Sequence, residues 1–307
     1  IFPGAQVMVV KDNKLIAQES FGKISYADNS KSVDSNTIYD IASITKVLSV
    51  TPVAMKLIDQ RKLSLEHTLE QYYPSLYGEV MGEVTVKHLL THSSGLKPFI
   101  EFYKIDPKMD KEDMITRILN TTLDFNPGEK NQYSDLGIII LMDIIETVSN
   151  SSLDRLCERW LFKPMGMENT SYNPLDSIKY KIAPTEVDNY FRNRTILGEV
   201  HDENAFLLDG VSGHAGIFSN SYDLAKYAQL FIDEGTWLGS RLLSYDRIQD
   251  FSKRQNIPVG SDRALGWDTP SRNGKSSAGD YFSNHSYGHL GFTGTSLWID
   301  HENEIII

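Results

Sequence analysis

The chain lacks the features that mark several large classes of protein. It has 307 residues and a single cysteine, Cys157, which excludes an internal disulfide. No apolar run approaches the roughly 20 residues that cross a bilayer, so no membrane span is predicted. The formal net charge is −11 and no basic cluster is present, which argues against nucleic acid and anionic membrane surfaces as partners.

Metal-ligand spacing is missing as well. The sequence has no His-Glu-x-x-His pattern, and adjacent residues such as His201-Asp202-Glu203 seldom chelate one ion. Cys157 falls on a helical apolar stripe that begins at Leu153, which is typical of a plain core thiol. We therefore predict no metal site and no cofactor.

The composition suits one large globular unit over 1–307. Hydrophobic residues make up 40% of the chain and aromatic residues 10%, enough for a substantial core. Apolar alternation at 5–10, 14–21 and 287–307 predicts strands, whereas 65–162 has mostly helical periodicity. A helix is expected to start at Ser64, and 173–209, which has several breakers and no clear period, is expected to form long surface loops. We expect an α/β (α+β) fold, with an antiparallel sheet built from both chain ends, flanking helices and an inserted, mostly helical lobe.

The same pattern predicts where the lobes lie. The α/β lobe is expected at about 1–62 and 210–307, and the helical lobe at about 63–209. A cleft between such lobes is a usual place for a ligand site. Because the pattern stops inside a strand, we expect a last strand and a C-terminal helix to lie beyond residue 307.

Ser43 and Lys46 are the first candidates for chemistry. Apolar residues recur at helical spacing through 47–60, which predicts Ser43 at a helix start, where free N–H groups favour developing negative charge. Lys46 follows one turn later on the same face, and a partly desolvated lysine can take a serine proton. The alternative is that Ser43 only caps the helix and Lys46 is solvated.

The Ser-x-x-Lys spacing alone is weak, since roughly one match is expected by chance in a chain of this length. This sequence has three matches, beginning at Ser20, Ser43 and Ser94. Ser20 lies in a predicted hairpin strand, and glycine and proline follow Ser94 closely, so neither opens a helix. Only Ser43 precedes a long amphipathic helix, which Pro52 is expected to kink or loosen.

Two further motifs place polar residues at element boundaries. Tyr133-Ser134-Asp135 precedes a predicted helix, and the phenol of Tyr133 can relay protons if a cation such as Lys46 lies nearby. Simple packing of Tyr133, with Asp135 as a helix cap, is the alternative. His289-Leu290-Gly291 precedes an apolar strand whose edge can offer an oxyanion donor. The alternative is that this segment is only a glycine-rich edge with a solvated histidine.

In order and relative position, these three motifs resemble those of class C β-lactamases and of the wider penicillin-binding-protein-like esterases, amidases and peptidases. Flanking segments at 89–96, 161–167 and 213–219 are similar too, so the resemblance covers nearly the whole chain. It implies a β-lactamase/transpeptidase-like fold and a serine hydrolase that forms an acyl-enzyme.

The resemblance also implies the roles of individual residues. Ser43 would attack a carbonyl carbon while Lys46 and Tyr133 share the proton transfers, with His289 completing the catalytic set. The backbone N–H groups of Ser43 and Phe292 would form the oxyanion hole.

Two positions depart from the usual motifs. Asp135 stands where the family has asparagine; a carboxylate cannot donate to a substrate carbonyl and is expected to pair with Lys46 and hold it charged. His289 stands where the family has a lysine that binds a substrate carboxylate. Because histidine is mostly neutral at pH 7, this change favours the esterase-like and peptidase-like branch over β-lactam hydrolysis.

A loop at His201, Asp202 and Glu203 resembles a loop of relatives that act on cell-wall fragments, and we expect it to contact substrate together with Asp135 and Gly291. A plain surface loop is the alternative. The predicted partner is a small molecule or a peptidoglycan fragment. A β-lactamase or D-alanyl peptidase proper and a non-catalytic peptidoglycan binder stay open, and a periplasmic or extracellular location is expected over the cytoplasm.

Overall fold

A five-stranded antiparallel sheet joins the two ends of the chain. The structure, a computed structural model, describes residues 2–272 and 275–307. The strands are β1 (Gly4–Lys11), β2 (Lys14–Gly22), β3 (Tyr39–Asp40), β4 (Ser171–Tyr172), β5 (Val187–Asp188), β6 (Arg194–Thr195), β7 (Ile217–Ser219), β8 (Thr236–Trp237), β9 (Ser240–Arg241), β10 (Tyr287–Gly291), β11 (Thr295–Asp300) and β12 (Ile305–Ile306).

The main sheet has the order β10-β11-β12-β1-β2, in which every pairing is antiparallel. Strand β12 lies between the two chain ends, since Ile306 pairs with Val10 on one side and with Ile299 on the other. This arrangement confirms the predicted sheet built from both termini. A second, three-stranded sheet of β3, β7 and β4 lies beside the predicted nucleophile, because β3 ends at Asp40.

Helices fill the middle of the chain and follow the sheet strands. The α-helices are α1 (Ile44–Leu48), α2 (Val50–Asp59), α3 (Leu69–Tyr72), α4 (Val86–Leu90), α5 (Phe102–Ile105), α6 (Lys111–Leu119), α7 (Asp135–Ser149), α8 (Leu153–Cys157), α9 (Lys163–Met165), α10 (Glu203–Leu207), α11 (Ser221–Ile232) and α12 (Tyr245–Ser252). Short segments of other helix types occur at Pro74–Leu76, Val80–Glu83, Glu158–Phe162 and Asp176–Lys181.

Helices α2 and α7 carry much of the core. Both pack against each other and bury most of their apolar residues, and Cys157 is fully buried beside them, as its apolar stripe predicts. The helix predicted through 47–60 is interrupted at Ser49, which leaves helical geometry between α1 and α2. Pro52 explains the break, since its ring would clash with the carbonyl of Leu48 in a continuous helix.

Two local predictions are wrong. The helix expected to start at Ser64 begins at Leu69, because Thr68 and Gln71 form a reciprocal capping box there. The segment 173–209, predicted as surface loops, contains α10, which the Asp202 side chain caps by accepting the Ala205 N–H at 2.7 Å.

Within 2–272 and 275–307, no single helix has both the length and the apolar content to cross a membrane. The helical segments 135–149 and 153–165 meet at 70° and would satisfy those criteria only as a bent pair. Helix α7, the first of these, is buried in the core over most of its length.

Candidate active site

A cavity of about 780 Å³ collects the predicted site residues from distant parts of the chain. Ser43 opens α1, Tyr133 and Asp135 lie at the start of α7, and His289 and Gly291 lie on β10. The rim adds a second group of predicted residues: His201, Asp202, Glu203 and Phe292. Lys46 lies beneath the cavity floor with 1% of its surface exposed.

The turn before Ser43 is held in a strained conformation. Ala42 adopts φ 45°, a left-handed value that costs an alanine about 1–2 kcal/mol. The Asp40 carboxylate accepts the Ala42 N–H at 2.8 Å, and Thr293 and Thr295 donate their hydroxyls to the carbonyls of Asp40 and Ile41. These contacts fix the turn against β10 and β11 and aim Ser43 into the cavity.

The Lys46 ammonium makes three close polar contacts. Its Nζ lies 2.8 Å from Ser43 Oγ, 2.8 Å from Asp135 Oδ1 and 3.0 Å from the carbonyl oxygen of His214. Burial by itself would lower the pKa of Lys46, but the neighbouring Asp135 and Tyr133 outweigh it and raise that pKa above its ordinary value. The resting enzyme therefore holds Lys46 as a cation, as its pairing with Asp135 predicts.

Tyr133 is placed by the capping of α7. Ser134 accepts the Gly137 N–H with its side chain and gives its own N–H to His92 Nδ1 at 3.2 Å. Lys46 Nζ lies 4.9 Å from the centre of the Tyr133 ring. The Tyr133 hydroxyl is buried, and it has no hydrogen-bond partner of good geometry in the described part of the chain. This leaves the phenol oxygen available to a reacting group.

His289 is buried and neutral. Its Nδ1 lies 2.7 Å from the carbonyl oxygen of Leu290, so Nδ1 carries the proton and Nε2 is left as an acceptor. Burial, together with the nearby cations Lys46 and Arg263, lowers the pKa of His289 to about 3. The ring centroid lies 5.9 Å from that of Tyr133. His289 can accept a hydrogen bond here but cannot attract an anion.

The two predicted oxyanion donors are free. Across residues 2–272 and 275–307, neither the Ser43 N–H nor the Phe292 N–H takes part in a hydrogen bond. The Phe292 side chain is 86% exposed at the cavity mouth, where its ring lies 5.7 Å from that of His201. The oxyanion roles stay predictions, now with both donors on the cavity lining.

The predicted substrate loop divides into outward and inward residues. His201 pairs through Nε2 with Glu186, and Glu203 accepts the Tyr190 hydroxyl, so both face the rim. Asp202 turns inward, where one oxygen lies 2.8 Å from His214 Nε2. Burial opposes ionisation of Asp202, but His214 and the Ala205 N–H prevail and lower its pKa to about 2. The Asp202 carboxylate thus supports the loop.

Sequence reasoning missed several residues of this cavity. Phe99, Glu186, Tyr190 and Asp268 line it, as does Arg263, whose side chain is 24% exposed. Arg263 belongs to the polar segment 260–286, in which a lone arginine gives no periodic or motif signal. A bridge between Asp268 and Gly288 of β10 brings that segment to the site.

Known proteins resemble this chain over nearly its whole length. The family profile described as Beta-lactamase matches residues 2–307. A Bacillus subtilis protein named N-acetylmuramyl-L-alanine amidase is 32% identical over 97% of this chain and 74% of its own length. A Salmonella typhi protein named putative D-alanyl-D-alanine carboxypeptidase is 30% identical, over 100% of this chain and 78% of its own.

Solved structures give the same fold. A class C β-lactamase from Rhodobacter sphaeroides aligns with a TM-score of 0.75 and 16% identity, over 99% of this chain and 88% of that protein. With the motifs, the fold and the relatives together, the class is that of serine hydrolases with a β-lactamase/transpeptidase-like fold. The chain belongs to the Beta-lactamase family.

Proposed function

We propose that this enzyme hydrolyses an amide or ester bond of peptidoglycan-derived substrates through an acyl-enzyme on Ser43, outside the cytoplasm. The observation that carries the proposal is the 2.8 Å contact between Ser43 Oγ and Lys46 Nζ, with the Tyr133 phenol beside the same ammonium. A serine, a basic group and a relay that meet in one cavity are the elements of nucleophilic catalysis.

The reaction takes place in two halves. Ser43 Oγ attacks the carbonyl carbon while its proton passes to the Lys46–Tyr133 pair, which must first have lost one proton because Lys46 is held as a cation beside Asp135. The pair then protonates the leaving nitrogen or oxygen as its bond to carbon breaks. Water attacks the ester on Ser43 by the reverse proton path and releases the acid, and the N–H groups of Ser43 and Phe292 stabilise each oxyanion.

The substrate assignment rests on the relatives and on the rim. The two curated relatives are named for bonds of peptidoglycan peptides, an N-acetylmuramyl-L-alanine amide in one and D-alanyl-D-alanine in the other. The rim combines aromatic and carboxylate side chains, Phe292, Tyr190, Glu186 and Glu203, which suit a sugar ring with many hydroxyls. We favour the bond between a muramyl lactyl group and its first alanine.

Two alternatives are weaker. A D-alanyl carboxypeptidase is the second candidate, because the relative of that name matches the full chain. A non-catalytic binder would need neither the strained turn at Ala42 nor a lysine bonded to Ser43, and both cost stability without aiding recognition.

Intact-mass analysis after incubation with a fluorophosphonate tests the nucleophile. The wild type should gain one adduct, and Ser43→Ala should gain none while keeping its circular dichroism spectrum. Ser20→Ala is the matched control, because Ser20 begins another Ser-x-x-Lys match on the exposed strand β2. Labelling of the Ser43→Ala variant, or turnover by it, would show that the nucleophile is another residue.

A further inference from the structure

The cavity contains a cation that none of the three motifs supplies. The guanidinium carbon of Arg263 lies 5.5 Å from the centre of the Tyr133 ring, which also lies beneath the Lys46 ammonium. Arg263 is close enough to His92 and His289 to help lower the pKa of each, after the larger effect of burial. It therefore stands at the reacting end of the cavity, beside Tyr133 and His289.

The guanidinium of Arg263 is poorly satisfied by the protein. In the described part of the chain its five N–H donors make no hydrogen bond, and its one ion-pair contact, with Asp268 Oδ1, is long at 3.8 Å. That carboxylate already accepts the Thr269 N–H and the Ser277 hydroxyl, each at 3.0 Å. A partly buried arginine with open donors at a cavity wall suits a planar anion that can bind with two parallel hydrogen bonds.

The backbone holds Arg263 in place. Its N–H donates to Ser261 Oγ at 3.1 Å, and its carbonyl accepts the Gln255 N–H at 2.9 Å. The next residues, Ala264 and Leu265, are fully buried. Asp268 then exchanges two backbone hydrogen bonds with Gly288 on β10, each at 2.9 Å. The arginine is fixed relative to the strand that carries His289, so its orientation towards a ligand is set before binding.

We propose that Arg263 binds a carboxylate on the leaving group of the substrate, next to the bond that Ser43 attacks. The neutral His289 cannot do so, and Arg263 reaches the same end of the cavity from a different segment. The proposal rests on the proposed function only in taking Ser43 as the nucleophile. The substrates that fit this proposal are amides or esters whose leaving group carries a carboxylate close to the scissile bond. The alanine released from N-acetylmuramyl-L-alanine is such a leaving group.

Two matched substrate pairs test the assignment. The first is N-acetylmuramyl-L-alanine and its carboxamide, and the second is the acetate ester of 3-hydroxybenzoate and that of 3-hydroxybenzamide. Within each pair only the leaving-group charge differs. The readout is the ratio of kcat/KM for the carboxylate to kcat/KM for the carboxamide, measured on wild type, Arg263→Met, Arg263→Lys and Arg272→Met. Arg272 is a control for net charge, since it lies outside this cavity.

The wild type and Arg272→Met should prefer the carboxylate, and Arg263→Met should reduce that ratio by roughly 10- to 100-fold, the usual effect of losing a charged hydrogen bond. Arg263→Lys should keep part of the preference. A ratio that Arg263→Met leaves unchanged would overturn the proposal, as would equal use of both substrates by wild type. If only the ester pair is cleaved, the muramyl assignment fails while the ester ratio still decides the role of Arg263.

Discussion

The carboxylate of Asp135 lies 2.8 Å from the Lys46 ammonium and sets its charge. Asp135 is the first residue of α7 and Lys46 is the third residue of α1, so two helices meet at this ion pair. Because Lys46 also donates to Ser43, the proposed mechanism makes this pair control how easily Ser43 finds a base. Under that mechanism, Lys46 held as a cation must lose a proton before each acylation.

Replacing Asp135 with asparagine should make that proton easier to lose. Without the carboxylate, burial dominates and the pKa of Lys46 falls, so the active, deprotonated pair is more populated at a given pH. The rise of kcat/KM with pH should therefore move to lower pH by roughly one unit or more, since a buried opposite charge is worth about 1–3 units. A pH–rate profile on a p-nitrophenyl ester measures the shift.

Asp143→Asn is the control for this profile. Asp143 lies two turns further along α7, outside the cavity, and pairs with Lys111 at 2.9 Å. Its loss should leave the pH dependence where it is. An Asp135→Asn profile that does not move, or that moves to higher pH, would contradict the role given to the ion pair.

His289 should not titrate in the working range of the enzyme. Its pKa is lowered to about 3, so the imidazole is already neutral at pH 5 and stays neutral at higher pH. The kcat/KM profile between pH 5 and 8 should show no inflection that belongs to His289. Comparison with His289→Gln tests this, because an inflection near 6.5 that disappears in the variant would mean that the histidine is solvated and charged.

The rim loop should recognise the substrate more than it assists the chemistry. The His201 ring packs near Phe292 and pairs with Glu186, so His201→Ala opens the mouth of the cavity on both sides. We expect KM for muramyl dipeptide to rise about 10-fold, equivalent to roughly 1.4 kcal/mol, with little change for p-nitrophenyl acetate. An equal loss on both substrates would place His201 in the catalytic machinery instead.

Much of the fold can be predicted from the sequence because its signals are local. The alternation in β1 and β2, the turn at Asp12 and the apolar period of α7 each lie within a dozen residues or so. The helix start at Leu69 was not predicted, because two local cap signals compete in that segment. Ser64 and Thr68 both resemble helix caps, and only the pairing of Thr68 with Gln71 decides between them.

The residues of the site fall into two groups, those that the sequence predicts and those that it does not. Ser43, Tyr133 and His289 could be found because each belongs to a short motif with a known chemical role, and the structure brings all three to one cavity. Arg263 could not, since its approach depends on a bridge between Asp268 and Gly288 that no local pattern encodes. The presence of Arg263 changes the argument about substrate carboxylates. The cavity has a cation that suits a carboxylate even though His289 replaces the usual lysine.

The measurement that tests the account most directly is kcat/KM for N-acetylmuramyl-L-alanine, a p-nitrophenyl ester and a cephalosporin on one preparation, with Ser43→Ala alongside. We expect N-acetylmuramyl-L-alanine to be cleaved between its lactyl group and alanine at the highest rate, the ester more slowly and the cephalosporin least, with all activity lost in Ser43→Ala. A cephalosporin rate far above the other two would contradict the account, because it would make β-lactam hydrolysis the favoured reaction of the Ser43 site.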